Sequence, residues 1–97
     1  MKINQEIINI VAKYFRNKPV LKAYIFGSVA KEEANSDSDI DILVDLDYSQ
    51  RIGLLFIQMK IDLENLLHKK VDLVSSKGLS PYIRLQIEKE KLLIYER

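Results

Sequence analysis

The sequence predicts an α+β fold in which helices pack mainly on one face of a small mixed β-sheet. Segments with apolar residues at helical spacing alternate along the chain with short β-branched segments. In addition, residues 39–46 alternate strictly between apolar and mostly acidic side chains, which is typical of a strand with one buried face. Together these patterns give the element order α-β-α-β-α-β-α-β.

Four segments are predicted to be helices: 3–16, 29–34, 51–68 and 81–90. Pro19 follows the first of them and ends it. Ser28 and Ser80 precede the second and the fourth helix, and serine is a favoured N-cap because its hydroxyl accepts a free backbone N–H. Pro81 occupies the first position of the fourth helix, where its missing N–H costs nothing.

Four segments are predicted to be strands: 20–26, 40–46, 70–75 and 92–95. The first is apolar, β-branched and aromatic and ends at Gly27. The last is the simplest candidate for an edge strand. In the second, the apolar residues at even positions fix which face is buried, so the strand register is determined as well.

Length and composition predict one domain over residues 1–97 and exclude several kinds of site. The chain is 47% hydrophobic and 30% charged, which are ordinary values for a globular protein. It has no cysteine and one histidine, His68, which excludes disulfides, thiolate nucleophiles and multi-histidine metal sites. No apolar run reaches membrane-spanning length and no signal-peptide pattern is present, so we expect a cytoplasmic protein with no membrane partner.

The third predicted helix carries two apolar stripes, whereas a single core accounts for only one. Leu54, Ile57 and Ile61 form the second, narrower stripe on the helical projection. Either the C-terminal helix or tail covers this stripe, or it is a docking surface for a partner.

The acidic residues are concentrated in one part of the chain. The net charge is only +1, yet seven of the fourteen acids lie between Glu32 and Asp47. Such a block is either a solvated face or a cation site. Asp39 and Asp41 stand out because they lie at the start of the second strand, about 6.6 Å apart on the same face. Two carboxylates placed in this way repel each other unless a cation or a proton intervenes.

Carboxylates without histidine or thiolate favour Mg²⁺, with Mn²⁺ as an alternative. A pair of carboxylates can bridge two such ions in the arrangement used for phosphoryl transfer. Asp72 is the candidate third ligand, because it interrupts the otherwise apolar third strand. The alternative for Asp72 is an acid on a half-exposed strand face.

Gly27 and Ser28 form a candidate phosphate-binding corner. Glycine lets the backbone approach a phosphate closely, and Ser28 offers a hydroxyl and an amide near the N-terminus of the predicted helix 29–34. By themselves the two residues are more typical of an ordinary turn with an N-cap. Neither the Walker phosphate loop nor the dinucleotide-binding glycine pattern is present.

The complete pattern is Gly27-Ser28, ten intervening residues, Asp39-Ile40-Asp41, and Asp72 in a later strand. It resembles the signature of the minimal nucleotidyltransferases of the DNA polymerase β-like superfamily. The resemblance implies a nucleotidyltransferase fold and two Mg²⁺ ions held by the three aspartates, which are also the catalytic residues. It further implies contacts from Gly27 and Ser28 to the triphosphate of ATP. Family members often read Gly-Ser-Arg-Ala-Arg-Gly, whereas Lys31 stands here in place of the second arginine and is a candidate counter-charge.

Small proteins of this kind resemble the antitoxin of two-gene toxin–antitoxin pairs whose toxin is a HEPN-domain ribonuclease. The resemblance implies transfer of AMP from ATP to a tyrosine hydroxyl of the toxin, with Asp72 nearest to accept the proton of that hydroxyl. Two alternatives remain open: a non-catalytic antitoxin that neutralises by occlusion, and a nucleotidyltransferase that acts on a small molecule. Direct nucleic-acid binding is disfavoured because no basic stripe with interleaved aromatic residues is present.

Overall fold

The computed structural model describes residues 5–27 and 39–97. Within these ranges the elements are α1 (Gln5–Phe15), β1 (Val20–Phe26), β2 (Ile40–Leu46), α2 (Leu55–Leu67), β3 (Val71–Ser75), a 3-10 turn (Ser76–Gly78), α3 (Pro81–Glu90) and β4 (Leu92–Glu96). The predicted helix 29–34 and its N-cap, Ser28, lie outside the described residues. None of the helices in the described ranges is long and apolar enough to cross a membrane.

The four strands form one mixed sheet in the order β3-β2-β1-β4. β1 pairs antiparallel with both β2 and β4, whereas β2 pairs parallel with β3. β4 is therefore an edge strand, as predicted. Together with the helices, this sheet confirms the predicted α+β fold class.

The main core lies between one face of the sheet and the helices α1 and α2. Its buried residues are Val11, Phe15, Val20, Ala23, Ile25, Ile40, Ile42, Val44, Leu46, Met59, Leu63, Val71 and Leu73. The even-numbered residues of β2 belong to this core because side chains alternate between the two faces of a strand. Burial of each large apolar side chain contributes about 1.5–3 kcal/mol, so this face fixes the register of β2.

The opposite face of the sheet carries the acidic residues of β2 and is partly covered by α3. Leu43, on this face of β2, and Ile87 of α3 are both buried, and neither belongs to the main core. At the end of α3, the Nζ atom of Lys91 lies 4.2 Å from the centroid of the Tyr24 ring. α3 thus packs on the acidic face, and the segment of β2 nearest to Gly27 lies beyond the buried Leu43.

α2 begins at Leu55, not at Arg51 as predicted. Gly53 adopts a positive φ of 46°, which no α-helical residue has, and the preceding residues form a turn in which Leu55 donates to Ile52. The apolar spacing continues through this turn, so the pattern alone placed the start too early. At its other end α2 stops at His68, whose φ of 55° breaks the helix.

The end of the sheet farthest from Gly27 is held together by Asp47 and Arg97. One Asp47 carboxylate oxygen accepts a hydrogen bond from Nη1 of Arg97 at 2.8 Å, and Nη2 of Arg97 donates to the Lys18 carbonyl at 3.0 Å. Ser49 and Gln50 also donate to Asp47. These hydrogen bonds hold the pKa of Asp47 far below its ordinary value.

Candidate active site

The candidate site begins at the corner where β1 ends. Gly27 follows Phe26 with a φ of 76°, a left-handed conformation that glycine adopts without a steric penalty. A Cβ atom added at this position would lie 2.2 Å from the nearer carboxylate oxygen of Asp41. Glycine is therefore needed both for the backbone turn and for the close approach of the Asp41 carboxylate.

Parallel pairing of β2 with β3 places Asp41 directly opposite Asp72. Residues paired in this way point to the same face, and adjacent strands lie about 4.8 Å apart. Asp39 immediately precedes β2, two residues before Asp41, and is exposed. Asp72 is also exposed. Its partner Asp41 is the half-buried member of the group.

The three carboxylates interact electrostatically. The pKa of Asp41 is raised from its ordinary value of 3.8 to about 6, first because burial disfavours its charge and then because Asp72 and Asp39 repel it. Asp39 and Asp72 therefore lie close enough for their charges to act on the Asp41 carboxylate, which lies beside Gly27. A cation placed among them would remove this repulsion.

The donor set is suited to Mg²⁺, because it consists of hard carboxylate oxygens without nitrogen or sulfur ligands. Among residues 5–27 and 39–97, no three acidic or histidine side chains are already gathered into a metal cage. Asp39 and Asp72 are exposed, however, and their side chains can rotate toward Asp41 at little cost. The three residues therefore offer the donor chemistry that a divalent ion prefers.

Of the predicted site residues, Gly27, Asp39, Asp41 and Asp72 lie together, whereas Ser28 and Lys31 lie outside the described residues. Phe26 is a neighbour that the sequence analysis overlooked. It pairs with Asp41 across β1 and β2, so Asp41 lies between Phe26 and Asp72 in one row across the sheet. Side-chain alternation along β1 places Phe26 on the acidic face, and this pattern could have identified it.

Comparison with known proteins decides the family. A family model described as polymerase beta, nucleotidyltransferase, matches residues 5–97. The chain belongs to this family. This nucleotidyltransferase is also similar to a Methanocaldococcus jannaschii protein provisionally named a protein adenylyltransferase, with 39% identity over 97% of this chain and 100% of the relative.

Solved structures show the same fold. One, provisionally described as a minimal nucleotidyltransferase, is 34% identical over 91% of this chain and 89% of its own, with a TM-score of 0.78. Another contains a tri-AMPylated HEPN toxin of Shewanella oneidensis in complex with an MNT antitoxin. The matching chain in that structure is 22% identical, with a TM-score of 0.74 and coverage of 96% of this chain and 72% of the other. At 22% identity, this comparison shows a shared fold and carries no further conclusion about the chain.

The apolar stripe predicted on the third helix is exposed in the nucleotidyltransferase. Leu54, Ile57 and Ile61 are 81%, 56% and 45% exposed, respectively. In the described part of the chain, neither α3 nor β4 covers these residues. The interpretation in which the C-terminal helix or tail buries the stripe is therefore wrong.

A cavity of about 450 Å³ lies away from the carboxylates, between α1 and α2. Its lining residues are Ile10, Lys13, Tyr14, Asn17, Lys18 and Leu66. Tyr14 closes one side of it and donates its hydroxyl hydrogen to Asp62 of α2. The cavity belongs to the helical layer, whereas the three aspartates lie on the opposite face of the sheet.

Proposed function

We propose that this nucleotidyltransferase is the antitoxin of a toxin–antitoxin pair and transfers AMP from ATP to a tyrosine hydroxyl of a HEPN ribonuclease toxin, using two Mg²⁺ ions. The observation that carries the proposal is the pairing of Asp41 with Asp72 beside the Gly27 corner. It provides carboxylates from two strands next to a backbone turn that a phosphate can approach. The proposal implies a cytoplasmic protein, because ATP is supplied there.

In the proposed reaction the tyrosine oxygen attacks the α-phosphorus of ATP. The bond from this phosphorus to the bridging oxygen breaks, and pyrophosphate leaves. Bound Mg²⁺ supplies charge neutralisation for the phosphates and lowers the pKa of the attacking hydroxyl. Mn²⁺ has the same ligand preference and is the expected substitute.

The family resemblance suggests the roles of the chain's own residues, and the exposure of the described aspartates supports them. Asp39, Asp41 and Asp72 hold the ions, while Gly27 and Ser28 contact the triphosphate and Lys31 balances its charge. The family resemblance suggests Asp72 as the acceptor of the tyrosine proton, and its exposure lets it meet a hydroxyl that arrives with a partner. Asp41 is half-buried between Phe26 and Asp72, which suits a ligand better than a proton acceptor.

A protein acceptor is favoured over a small molecule or a nucleic acid. The cavity between α1 and α2 is on the other side of the sheet from the aspartates, so it cannot hold a small acceptor next to them. The exposed stripe of Leu54, Ile57 and Ile61 provides apolar surface for a protein. The relative named as a protein adenylyltransferase and the complex with an AMPylated HEPN toxin support the same class of acceptor.

The reaction is tested by incubating the protein with ATP, MgCl₂ and the cognate HEPN toxin, followed by intact-mass measurement. We expect the toxin to gain one or more AMP units, and omission of the divalent ion to abolish the gain. Peptide mapping should then place the modification on tyrosine. An unchanged toxin mass with a folded, ATP-binding protein would contradict the proposed reaction.

The double variant Asp39→Asn/Asp41→Asn separates catalysis from occlusion. We expect it to lose both AMP transfer and toxin neutralisation, while Asp45→Asn, a change on the same face of β2, keeps both. Neutralisation that survives the double change would instead identify a binding antitoxin that acts without catalysis.

The docking surface is tested with Leu54→Asp and Ile57→Asp. Both side chains are more than half exposed, so the charge should leave the fold intact but weaken toxin binding and modification. Leu85→Asp is the matched control, because Leu85 is 66% exposed on a different helix. Equal loss in all three variants, or none, would show that this stripe is not the docking surface.

A further inference from the structure

A lysine that the proposed mechanism does not use lies at the edge of the candidate site. Lys91 connects α3 to β4, and its backbone is extended, with φ −68° and ψ 143°. β4 pairs with β1 through Tyr24↔Leu93 and Ile25↔Leu92. If the same antiparallel register continues by one residue, it places Lys91 beside Phe26.

Side-chain alternation places the Lys91 ammonium on the acidic face. Leu93 and Tyr24 share this face as a cross-strand pair, and Lys91 is two residues before Leu93 in extended backbone. The contact between the Lys91 ammonium and the Tyr24 ring agrees with this placement. The paired row across the sheet reads Asp72, Asp41, Phe26, and the backbone of Lys91 lies one step beyond the last β1–β4 pair, while its ammonium lies over the Tyr24 ring.

Lys91 is held in place from two sides. Its Nζ atom lies 4.2 Å from the centroid of the Tyr24 ring and 3.0 Å from a carboxylate oxygen of Glu88. Its side chain is only 20% exposed, whereas that of Glu88 is 52% exposed. An ion pair with so exposed a partner is weak, so a ligand carrying several negative charges can replace Glu88.

The backbone of Lys91 is roughly 10 Å from that of Asp41, because two strand spacings separate them. Ions held by the aspartates neutralise only the part of a triphosphate that they touch. The Gly27 corner lies next to Phe26, between the aspartates and Lys91. The Lys91 ammonium lies over the Tyr24 ring, on the side of Phe26 away from Gly27, so the flexible lysine side chain turns toward the corner to reach a triphosphate seated there.

We propose that Lys91 binds a phosphate group of ATP, as a positioning residue that orients the triphosphate on the side opposite the three aspartates. This inference rests on the proposed use of ATP and adds a residue to it. Lysine acts here as a point charge, and the Tyr24 ring holds it on the acidic face before a phosphate binds.

The test is calorimetric titration of the folded protein with ATP and with adenosine, both in MgCl₂. Lys91→Met should lower the affinity for ATP roughly tenfold, the usual effect of losing one charge-assisted hydrogen bond, and leave the affinity for adenosine unchanged. Lys89→Met, an exposed lysine of α3 two residues away, should behave as wild type. Lys91→Arg should restore most of the ATP affinity. Lys91→Gln replaces Lys91→Met if the latter does not fold, as judged by circular dichroism.

The possible outcomes separate this inference from the proposed function. A wild-type protein that binds no ATP would overturn both. If the wild type binds ATP and Lys91→Met binds it equally well, only the role of Lys91 is wrong. An equal loss of ATP and adenosine affinity in Lys91→Met would also overturn it, because that result indicates a structural role for the Tyr24 contact.

Discussion

Replacing Gly27 by alanine should slow catalysis, because the added methyl group displaces the Asp41 carboxylate. The new Cβ atom would lie 2.2 Å from an Asp41 carboxylate oxygen, but 3.3 Å from its Cγ and 3.6 Å from its Cβ. Only the end of the side chain therefore clashes, and rotation of the carboxylate relieves the contact. After this rotation the Asp41 oxygen has left the position beside Gly27 in which the proposed mechanism uses it.

Two costs of this substitution can be separated. A left-handed alanine costs about 1–2 kcal/mol, which lowers the Tm of a chain of this size by roughly 4–16 °C. Displacement of a catalytic group by about 1 Å costs roughly 100-fold in rate. Gly53→Ala is the matched control, since Gly53 also has a positive φ, 46°, but no atom within 4 Å of the added Cβ.

The assay combines thermal unfolding with the initial rate of AMP transfer. Both alanine variants should lose similar stability, but only Gly27→Ala should lose about 100-fold in rate. A Gly27→Ala enzyme within a few-fold of Gly53→Ala, both measured well below their melting temperatures, would refute the reasoning that this glycine makes room for the Asp41 carboxylate.

Three further predictions concern stability, each measured by thermal unfolding. The pKa of Asp41 is about 6 in the folded protein and 3.8 ordinarily, so wild-type stability should fall as the pH rises from about 4 to about 6. Asp41→Asn should therefore be more stable than the wild type above pH 6, by about 1 kcal/mol after allowance for solvent screening. The control Asp45→Asn should not be more stable than the wild type. A Tm of Asp41→Asn that stays below wild type at pH 7 would contradict this prediction. The pKa of Asp47 is lowered in the folded protein, so the stabilisation by its carboxylate is present above about pH 4 and is lost on acidification. Asp47→Asn should therefore melt below wild type at pH 7, and the difference in Tm should shrink in acid. A difference in Tm that is constant with pH would contradict this prediction. Tyr14→Phe removes the hydrogen bond to Asp62 and should lower the free energy of unfolding by about 1 kcal/mol. The rate of AMP transfer should not change, since the pair lies in the helical layer. A slower rate at full stability would show that this layer affects the site.

Much of the local structure could be predicted from the sequence because it depends on neighbouring residues. Alternation along β2 placed Asp39 and Asp41 on one face, and Ser80 with Pro81 marked the start of α3. The hydroxyl of Ser80 accepts the Ile83 N–H at 3.3 Å, as an N-cap does. The start of α2 was wrong because the left-handed turn at Gly53 leaves the apolar spacing intact.

The site required long-range information that periodicity does not contain. That Asp72 lies opposite Asp41 depends on β3 pairing in parallel with β2, whereas β1 pairs with it in antiparallel. The sequence pattern is the same for either direction and for either neighbour. Lys91 is separated by many residues from Phe26 and from Asp41, and the pairing of β4 with β1, which ends at Ile25↔Leu92, brings it near Phe26.

The sequence alone predicted the described helices and strands apart from the start of α2, the acidic face of β2 and the candidate ligands for a divalent ion, since each follows from side-chain type and from spacing within one segment. The tertiary structure decided the order of the strands, the exposure of Asp72 and of the Leu54 stripe, and the passage of α3 across the acidic face. These features depend on which surfaces are buried against one another, and burial is a property of the whole fold rather than of any single segment.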